Sequence, residues 1–149
     1  MLDTNRPIFA VALAALGGIH YFSMMYFLDV VHSIEWPLWL SRLAAARGYN
    51  TAQLLWETLT SVPAIIIISS LVAFALSKLA SRHFFRNGLL VLALSLSVAV
   101  LLNPIEGSYL QAIRSVIWPA HWSQFTIYLA LYVTLPTVTW LCGRRADAA

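Results

Sequence analysis

Four long apolar runs constrain this chain more than any other feature of its sequence. They cover approximately residues 7–28, 53–76, 87–103 and 118–141. A helix needs about 20 mostly apolar residues to cross the hydrocarbon core of a bilayer. The third run is the shortest and is diluted by Ser95, Ser97 and Asn103, but an even number of spans fits the charge pattern described below. The pattern predicts an all-α, polytopic membrane protein, a four-transmembrane-helix bundle forming a single domain over residues 1–149.

Composition leads to the same class of protein. Only 10% of the 149 residues are charged and 60% are hydrophobic, whereas a soluble domain carries about 25% charged residues. The single cysteine, Cys142, excludes an internal disulfide and a cysteine-rich metal site. Glycine-rich phosphate loops, a nucleophile elbow and basic nucleic-acid patches are absent from the sequence. The first run is longer than the apolar region of a signal peptide, so we expect it to be retained as a span.

Basic residues predict the orientation of the chain, because lysine and arginine accumulate in short cytoplasmic segments. Three lie in the first and third loops, namely Arg42, Arg47 and Arg114. Six lie at the termini and in the second loop, namely Arg6, Lys78, Arg82, Arg86, Arg144 and Arg145. Both termini are therefore predicted to be cytoplasmic. The first and third loops then face outward, to a periplasm or to the lumen of the endoplasmic reticulum.

The two outer loops resemble each other. Each carries an acidic residue, Glu35 or Glu106, followed about two helical turns later by an arginine, with a proline nearby. Each is also rich in tryptophan, leucine or isoleucine. We expect short amphipathic segments in both loops, lying in the membrane interface.

Each span has one face that is polar or built from small residues when it is drawn as a helix. These faces are, span by span, Ala10, Ala14 and Gly18; Gln53, Glu57, Thr60, Ser61 and Ala64; Ser95, Ala99 and Asn103; and His121, Gln124, Tyr128, Tyr132 and Pro136. Small residues four apart let helices approach closely within a membrane. The strongest polar groups lie toward the outer ends of the spans. We predict that the four faces converge on a polar pocket in the outer half of the membrane.

Glu57 is the main candidate for a functional side chain in that pocket, since an acid inside a span pairs, stays protonated or lines a cavity. Asp29 and His121 are the other candidates for acid–base work, and the simpler reading makes these residues solvated or hydrogen-bonded groups at the interface. Five further residues are predicted to bind the ligand: Trp56, Asn103, Gln124, Tyr128 and Tyr132. His32 and Glu35 are interpreted as interface residues.

Metal and haem sites are two alternative hypotheses for the histidines and acids. His20 lies inside the first span, and neither His83 nor His121 lies at a matching depth to be a second haem ligand. A hydrogen bond to a neighbouring helix is the alternative for His20. Acids and histidines near the outer ends are suitable metal ligands but lack a diagnostic spacing. No cofactor and no metal are therefore assigned.

Three short motifs resemble the EXPERA group, which includes emopamil-binding protein and the sigma-two receptor. Asp29 closes the first span in FLDVVHSIEWP, Glu57 precedes a proline in WETLTSVP, and Tyr132 precedes Pro136 in YVTLP. The resemblance implies a four-helix bundle with an intramembrane cavity and with Asp29 and Glu57 as an acidic pair. It also implies ligands such as sterols and amphiphilic amines, and in some members isomerisation of a sterol double bond.

Three functions remain open at this point. The first is binding of a sterol-like, isoprenoid-like or amphiphilic molecule in an intramembrane acidic pocket. The second is a double-bond isomerase, in which Glu57 with His121 or Asp29 would donate and accept the proton. The third is an accessory subunit of a larger membrane complex or a homo-oligomer. The expected partners are membrane lipid or a hydrophobic small molecule, and the alanine-rich, lysine-poor composition favours a bacterial inner membrane.

Overall fold

The computed structural model describes residues 7–80, 83–102, 111, 113–114, 117–118 and 121–146. Within these residues the helices are α1 (Pro7–Ser33), α2 (Leu38–Arg47), α3 (Tyr49–Leu79), α4 (Phe84–Leu102) and α5 (Phe125–Ala146), with a 3₁₀ turn at Trp122–Gln124 before α5. The described part of the chain contains no strand. The predicted all-α class is confirmed.

Four of the helices are long and apolar enough to cross a membrane: α1, α3, α4, and α5 together with the 3₁₀ turn that precedes it. The chain is therefore an integral membrane protein, and the residues that the structure describes contain four helices able to span the membrane. Helices α1 and α3 extend beyond their apolar runs because backbone hydrogen bonding continues where the side chains become polar. The fourth span differs, since α5 begins at Phe125 rather than near 118 and continues to Ala146. The largest extension is in α3, whose 31 residues correspond to about 46 Å at 1.5 Å per residue.

The four long helices stand at the corners of a square. Helix α1 packs against α3 and α4, and α5 packs against the same two helices, whereas the diagonal pairs make little contact. The neighbours α1 and α4 run parallel, as do α3 and α5. We call the end where α1 leads into α2 and α3 the loop end, and the end where α1 begins and α5 stops the termini end.

Helix α2 lies at the loop end and packs against α3. Only Gly48 separates the two helices, with φ of 93°, a backbone conformation that costs glycine little because it has no Cβ. Trp36 stacks on Tyr49 with ring centroids 5.0 Å apart. A helix is thus present in the first loop, as predicted. The segment predicted for the third loop lies mostly outside the described residues.

The main core lies toward the termini end and joins all four long helices. Its buried side chains are Phe9, Leu13, Leu16, Val72, Ala73, Leu76, Ala80, Val91, Leu92 and Leu135. A smaller cluster of Met24, Ile65 and Ile68 lies toward the loop end. Most other large apolar side chains of the spans point away from the bundle, as a lipid-facing surface requires.

Two glycines allow close helix contacts. A Cβ built on Gly17 would lie 2.6 Å from Cβ of Leu94, so α1 and α4 touch there, and a Cβ on Gly88 would collide with the Thr139 side chain of α5. The predicted small-residue face of the first span is wrong, since Ala10 and Ala14 are exposed. The helix is rotated so that the face carrying Gly17 packs inward.

Proline interrupts two of the spans. Pro63 lies inside α3 and Pro136 lies inside α5. Each lacks the backbone N–H that would bond the carbonyl four residues earlier. The two interrupted helices are neighbours in the bundle.

Candidate functional site

A polar stripe runs down the inner face of α3. Glu57, Ser61 and Ser69 are buried, and Gln53 is half-buried. Their spacings of four and eight residues place them on one side of a helix. The predicted inward face of this span is confirmed, because polar side chains in an apolar run avoid lipid by facing other helices.

Glu57 forms the first polar cluster, near the loop end. The residue is 3% exposed. His32 Nε2 lies 3.0 Å from Glu57 Oε1, and the Ser61 hydroxyl donates to Glu57 Oε2 over 2.6 Å. Both carboxyl oxygens therefore have a partner, one from α1 and one from α3 itself. The His32 side chain is 50% exposed, so the cluster reaches from the bundle interior to its surface.

His20 forms the second polar cluster, deeper in the bundle. It is fully buried. Its Nδ1 lies 2.9 Å from the Ser95 hydroxyl of α4, and its Nε2 lies 3.4 Å from the Ser69 hydroxyl of α3. An imidazole has one donor and one acceptor when neutral, and hydroxyl groups can match both. His20 thus links three helices.

The two clusters are joined by matching stripes on α1 and α3. On α1, His20 and His32 are separated by twelve residues, or about 18 Å, with Met24 and Leu28 between them at four-residue steps. On α3, running the opposite way, Ile65 lies between the serines of the two clusters. Polar groups therefore flank an apolar layer.

A cavity of about 260 Å³ occupies that apolar layer. All four spanning helices line it, with side chains that are almost entirely apolar: Tyr21, Met24, Met25, Leu28, Ile65, Ser95, Leu96, Ala99, Ile127, Tyr128 and Leu131. Ser95 belongs both to the cavity wall and to the His20 cluster. Ile65 lies eight residues after Glu57, or about 12 Å along α3, so the carboxylate stands above the cavity rather than in its wall.

The predicted ligand-binding residues lie in different places. Tyr128 lines the cavity. Trp56 and Gln124 are half-buried, and the Tyr132 hydroxyl donates to the Ile117 carbonyl over 3.0 Å. Asn103 lies outside the described residues.

Of the predicted acid–base residues, Glu57 is buried, whereas Asp29 and His121 are exposed. The side chain that reaches Glu57 from α1 is His32, one turn beyond Asp29. No three histidine, cysteine or acidic side chains come together as a metal site within the described ranges. The roles predicted for Asp29 and His121 stay predictions.

The sequence analysis interprets His32 as an interface residue, beyond the apolar run that ends near Leu28. The helix continues to Ser33, and this extra turn brings the imidazole over Glu57. The four-residue spacing of His20, Met24, Leu28 and His32 is visible in the sequence and was the available signal for the α1 face.

The buried Ser123 hydroxyl fixes the start of α5. It donates to Gln53 Oε1 over 3.1 Å, and the Thr58 hydroxyl donates to Thr126 Oγ1 over 3.2 Å. These contacts hold the 3₁₀ turn and α5 against α3 near the Glu57 cluster.

Comparison with protein-family models, curated proteins and solved structures found no match.

Proposed function

We propose that this integral membrane protein binds one elongated amphiphile, whose apolar part occupies the cavity and whose polar head reaches the Glu57 cluster. The observation that carries the proposal is the cavity among four spanning helices, beneath a buried carboxylate. Ligand sites in proteins are mostly apolar with a few placed polar groups. The lining described above has that composition.

Cavity size supports a slim ligand. Pockets for drug-sized molecules have volumes of about 300–1,000 Å³, and this one has about 260 Å³. An isoprenoid-like chain, or one end of a larger amphiphile, suits this volume better than a bulky ring system. The distance of about 12 Å between Ile65 and Glu57 along α3 requires the ligand to be elongated if it contacts both.

The Glu57 cluster favours a cationic or hydroxyl head group. Glu57 Oε1 is held by His32, whose side chain is half exposed, while Oε2 is held by the buried Ser61. A cation or hydroxyl donor arriving from the loop end would replace the imidazole at Oε1 and leave the Ser61 bond in place. Aromatic rings such as Tyr21 and Tyr128 in the cavity wall would contact the apolar part.

Binding is better supported than isomerisation. Proton donors and acceptors for a double bond must lie within hydrogen-bond reach of the reacting atoms. Among the residues that the structure describes, the cavity lining contains no carboxylate and no histidine, and His20 contacts this lining through Ser95. The role of an accessory subunit has no comparable observation in its favour.

Filling the cavity tests the proposal. Ala99→Phe places a ring in the cavity wall, whereas Ala93→Phe places the same ring on the exposed side of α4. The protein is extracted gently from its own membrane and examined by native mass spectrometry. We expect a retained small molecule in the wild type and in Ala93→Phe and its loss in Ala99→Phe.

The head group is tested in the same experiment with Glu57→Gln and Glu35→Gln, the latter at an exposed position. We expect the first to weaken the affinity for the retained molecule at least about tenfold, the equivalent of about 1.4 kcal/mol, and so to lower its occupancy, and the second to leave occupancy unchanged. Equal occupancy in Ala99→Phe and the wild type would refute the cavity as the binding site. Equal loss in both glutamine variants would refute the role of Glu57.

A further inference from the structure

A second cavity lies at the termini end, between the first turn of α4 and the last turns of α5. Its volume is about 560 Å³. The side chains that matter here are Arg86 and Phe85 of α4, Trp140 and Arg144 of α5, and His83 just before α4. We call this cavity the basic groove. It is far from the loop end and is independent of the amphiphile site.

The basic groove carries positive charge without nearby acids among the described residues. The described residues include three acidic side chains, and all three lie at the loop end: Asp29, Glu35 and Glu57. Arg86 and Arg144 both line the groove. The charge of the groove is therefore complementary to an anion.

The start of α4 strengthens this complementarity. The N-terminus of a helix carries a partial positive charge and free backbone N–H groups. Arg86 lies in the first turn of the 19-residue α4, where a basic side chain is unfavourable with respect to the helix dipole. An anion in the groove would offset the partial positive charge of the helix terminus and the charge of Arg86.

Aromatic rings make the groove amphipathic. The Arg144 guanidinium lies 4.8 Å from the centroid of the Trp140 ring, and Phe85 is an exposed ring on the opposite wall. Tryptophan and other aromatic side chains are typical of the depth at which lipid head groups meet the hydrocarbon core. The groove thus combines an anion-binding part with an apolar part at the ends of two spanning helices.

Packing fixes the separation of the two walls. A Cβ on Gly143 would lie 3.2 Å from the Phe84 ring, and one turn deeper a Cβ on Gly88 would collide with Thr139. The two contacts hold the start of α4 against the end of α5. The arginines are thereby presented from a fixed pair of helix ends rather than from a loop.

We propose that the basic groove binds the phosphate of an anionic phospholipid, with Arg86 and Arg144 contacting the phosphate and with Trp140 and Phe85 contacting the glycerol and the first part of the acyl chains. Basic pockets between spanning helices are the kind of site that recognises anionic head groups. The orientation predicted from the basic residues would place the groove in the cytoplasmic leaflet.

The test measures lipid binding to the purified full-length chain in mild detergent. Dioleoyl-phosphatidylglycerol, dioleoyl-phosphatidylcholine and inorganic phosphate are titrated separately and followed by native mass spectrometry and thermal stability. The main variant is Arg86→Gln/Arg144→Gln. Its matched control is Arg42→Gln/Arg47→Gln, which removes the same charge from exposed positions on α2.

We expect saturable binding of phosphatidylglycerol at least about tenfold tighter than that of phosphatidylcholine. The Arg86→Gln/Arg144→Gln variant is expected to weaken it at least about tenfold, from the attraction of each basic residue to anionic lipid, and the control less than about twofold. Phe85→Glu, at an exposed position, is expected to weaken it as well by placing a negative charge in the groove.

Equal weakening in the two arginine double variants would overturn the proposal, because it would mean attraction to overall charge. Binding and thermal stabilisation by inorganic phosphate equal to those by phosphatidylglycerol would also overturn the proposal, because the site would then bind a free anion rather than a lipid.

Discussion

The hydrogen bond between His32 and Glu57 is expected to contribute about 1 kcal/mol to the stability of the bundle. A hydrogen bond to a charged group contributes about 1.5–3 kcal/mol in proteins generally. Contacts between membrane helices average about 0.6 kcal/mol and reach about 1.7 kcal/mol. The distance of 3.0 Å and the burial of Glu57 favour a contribution above the average for membrane helices. The half-exposed imidazole keeps the contribution below the maximum for membrane helices, because water competes for the hydrogen bond.

A double-mutant cycle with His32→Ala, Glu57→Gln and the combined variant measures this coupling. The free energy of unfolding of each protein is obtained from reversible unfolding in mixed micelles of mild detergent and dodecyl sulfate. We expect His32→Ala to destabilise the wild type more than it destabilises Glu57→Gln, by about 1 kcal/mol. In His32→Ala, Ser61 remains a partner of the Glu57 carboxyl group, so the bundle should still fold.

The matched cycle pairs His32→Ala with Glu35→Gln. Glu35 is exposed in the connection between α1 and α2, and the two substitutions should be additive. A coupling below about 0.3 kcal/mol between His32 and Glu57 would refute the cluster as a stabilising contact.

Three further substitutions test the packing of α1. Gly17→Ala is expected to destabilise the protein by about 1–3 kcal/mol because its Cβ would meet Leu94. Gly18→Ala, whose Cβ would meet nothing within 4 Å, should be neutral or stabilising by up to about 1 kcal/mol. Equal effects of the two substitutions on stability would contradict the observed rotation of α1. His20→Leu is expected to lower the free energy of unfolding by about 1 kcal/mol through loss of its hydrogen bond to Ser95, and an unchanged value in the same unfolding assay would show that this bond is not stabilising.

The sequence predicted α3 better than α1, and the reason lies in their side chains. In α3, Glu57 and Ser61 are strongly polar within an apolar run, so only one rotation of the helix hides them. In α1 the small residues occur on several faces, and both Gly18 and Gly17 could be assigned to a close contact. His20 was the residue that could have decided between these rotations.

Depth was harder to predict than rotation. The apolar run predicts that the first span ends near Leu28, with Asp29 at its boundary and His32 in the interface. Helix α1 continues to Ser33 because a helix satisfies its own backbone hydrogen bonds in water and in lipid alike. The cavity was not predictable in its details, since its walls depend on how four helices are separated rather than on any one pattern.

The two prolines have a consequence for the mechanics of the bundle. Helices α3 and α5 each lack one backbone hydrogen bond, at Pro63 and Pro136, and a helix bends most readily where such a bond is missing. Helices α1 and α4 have no proline in their interior and are held together at Gly17. The α3–α5 side of the cavity is therefore expected to bend more readily than the α1–α4 side, and it is the side that we expect to move if the proposed ligand is larger than the empty space.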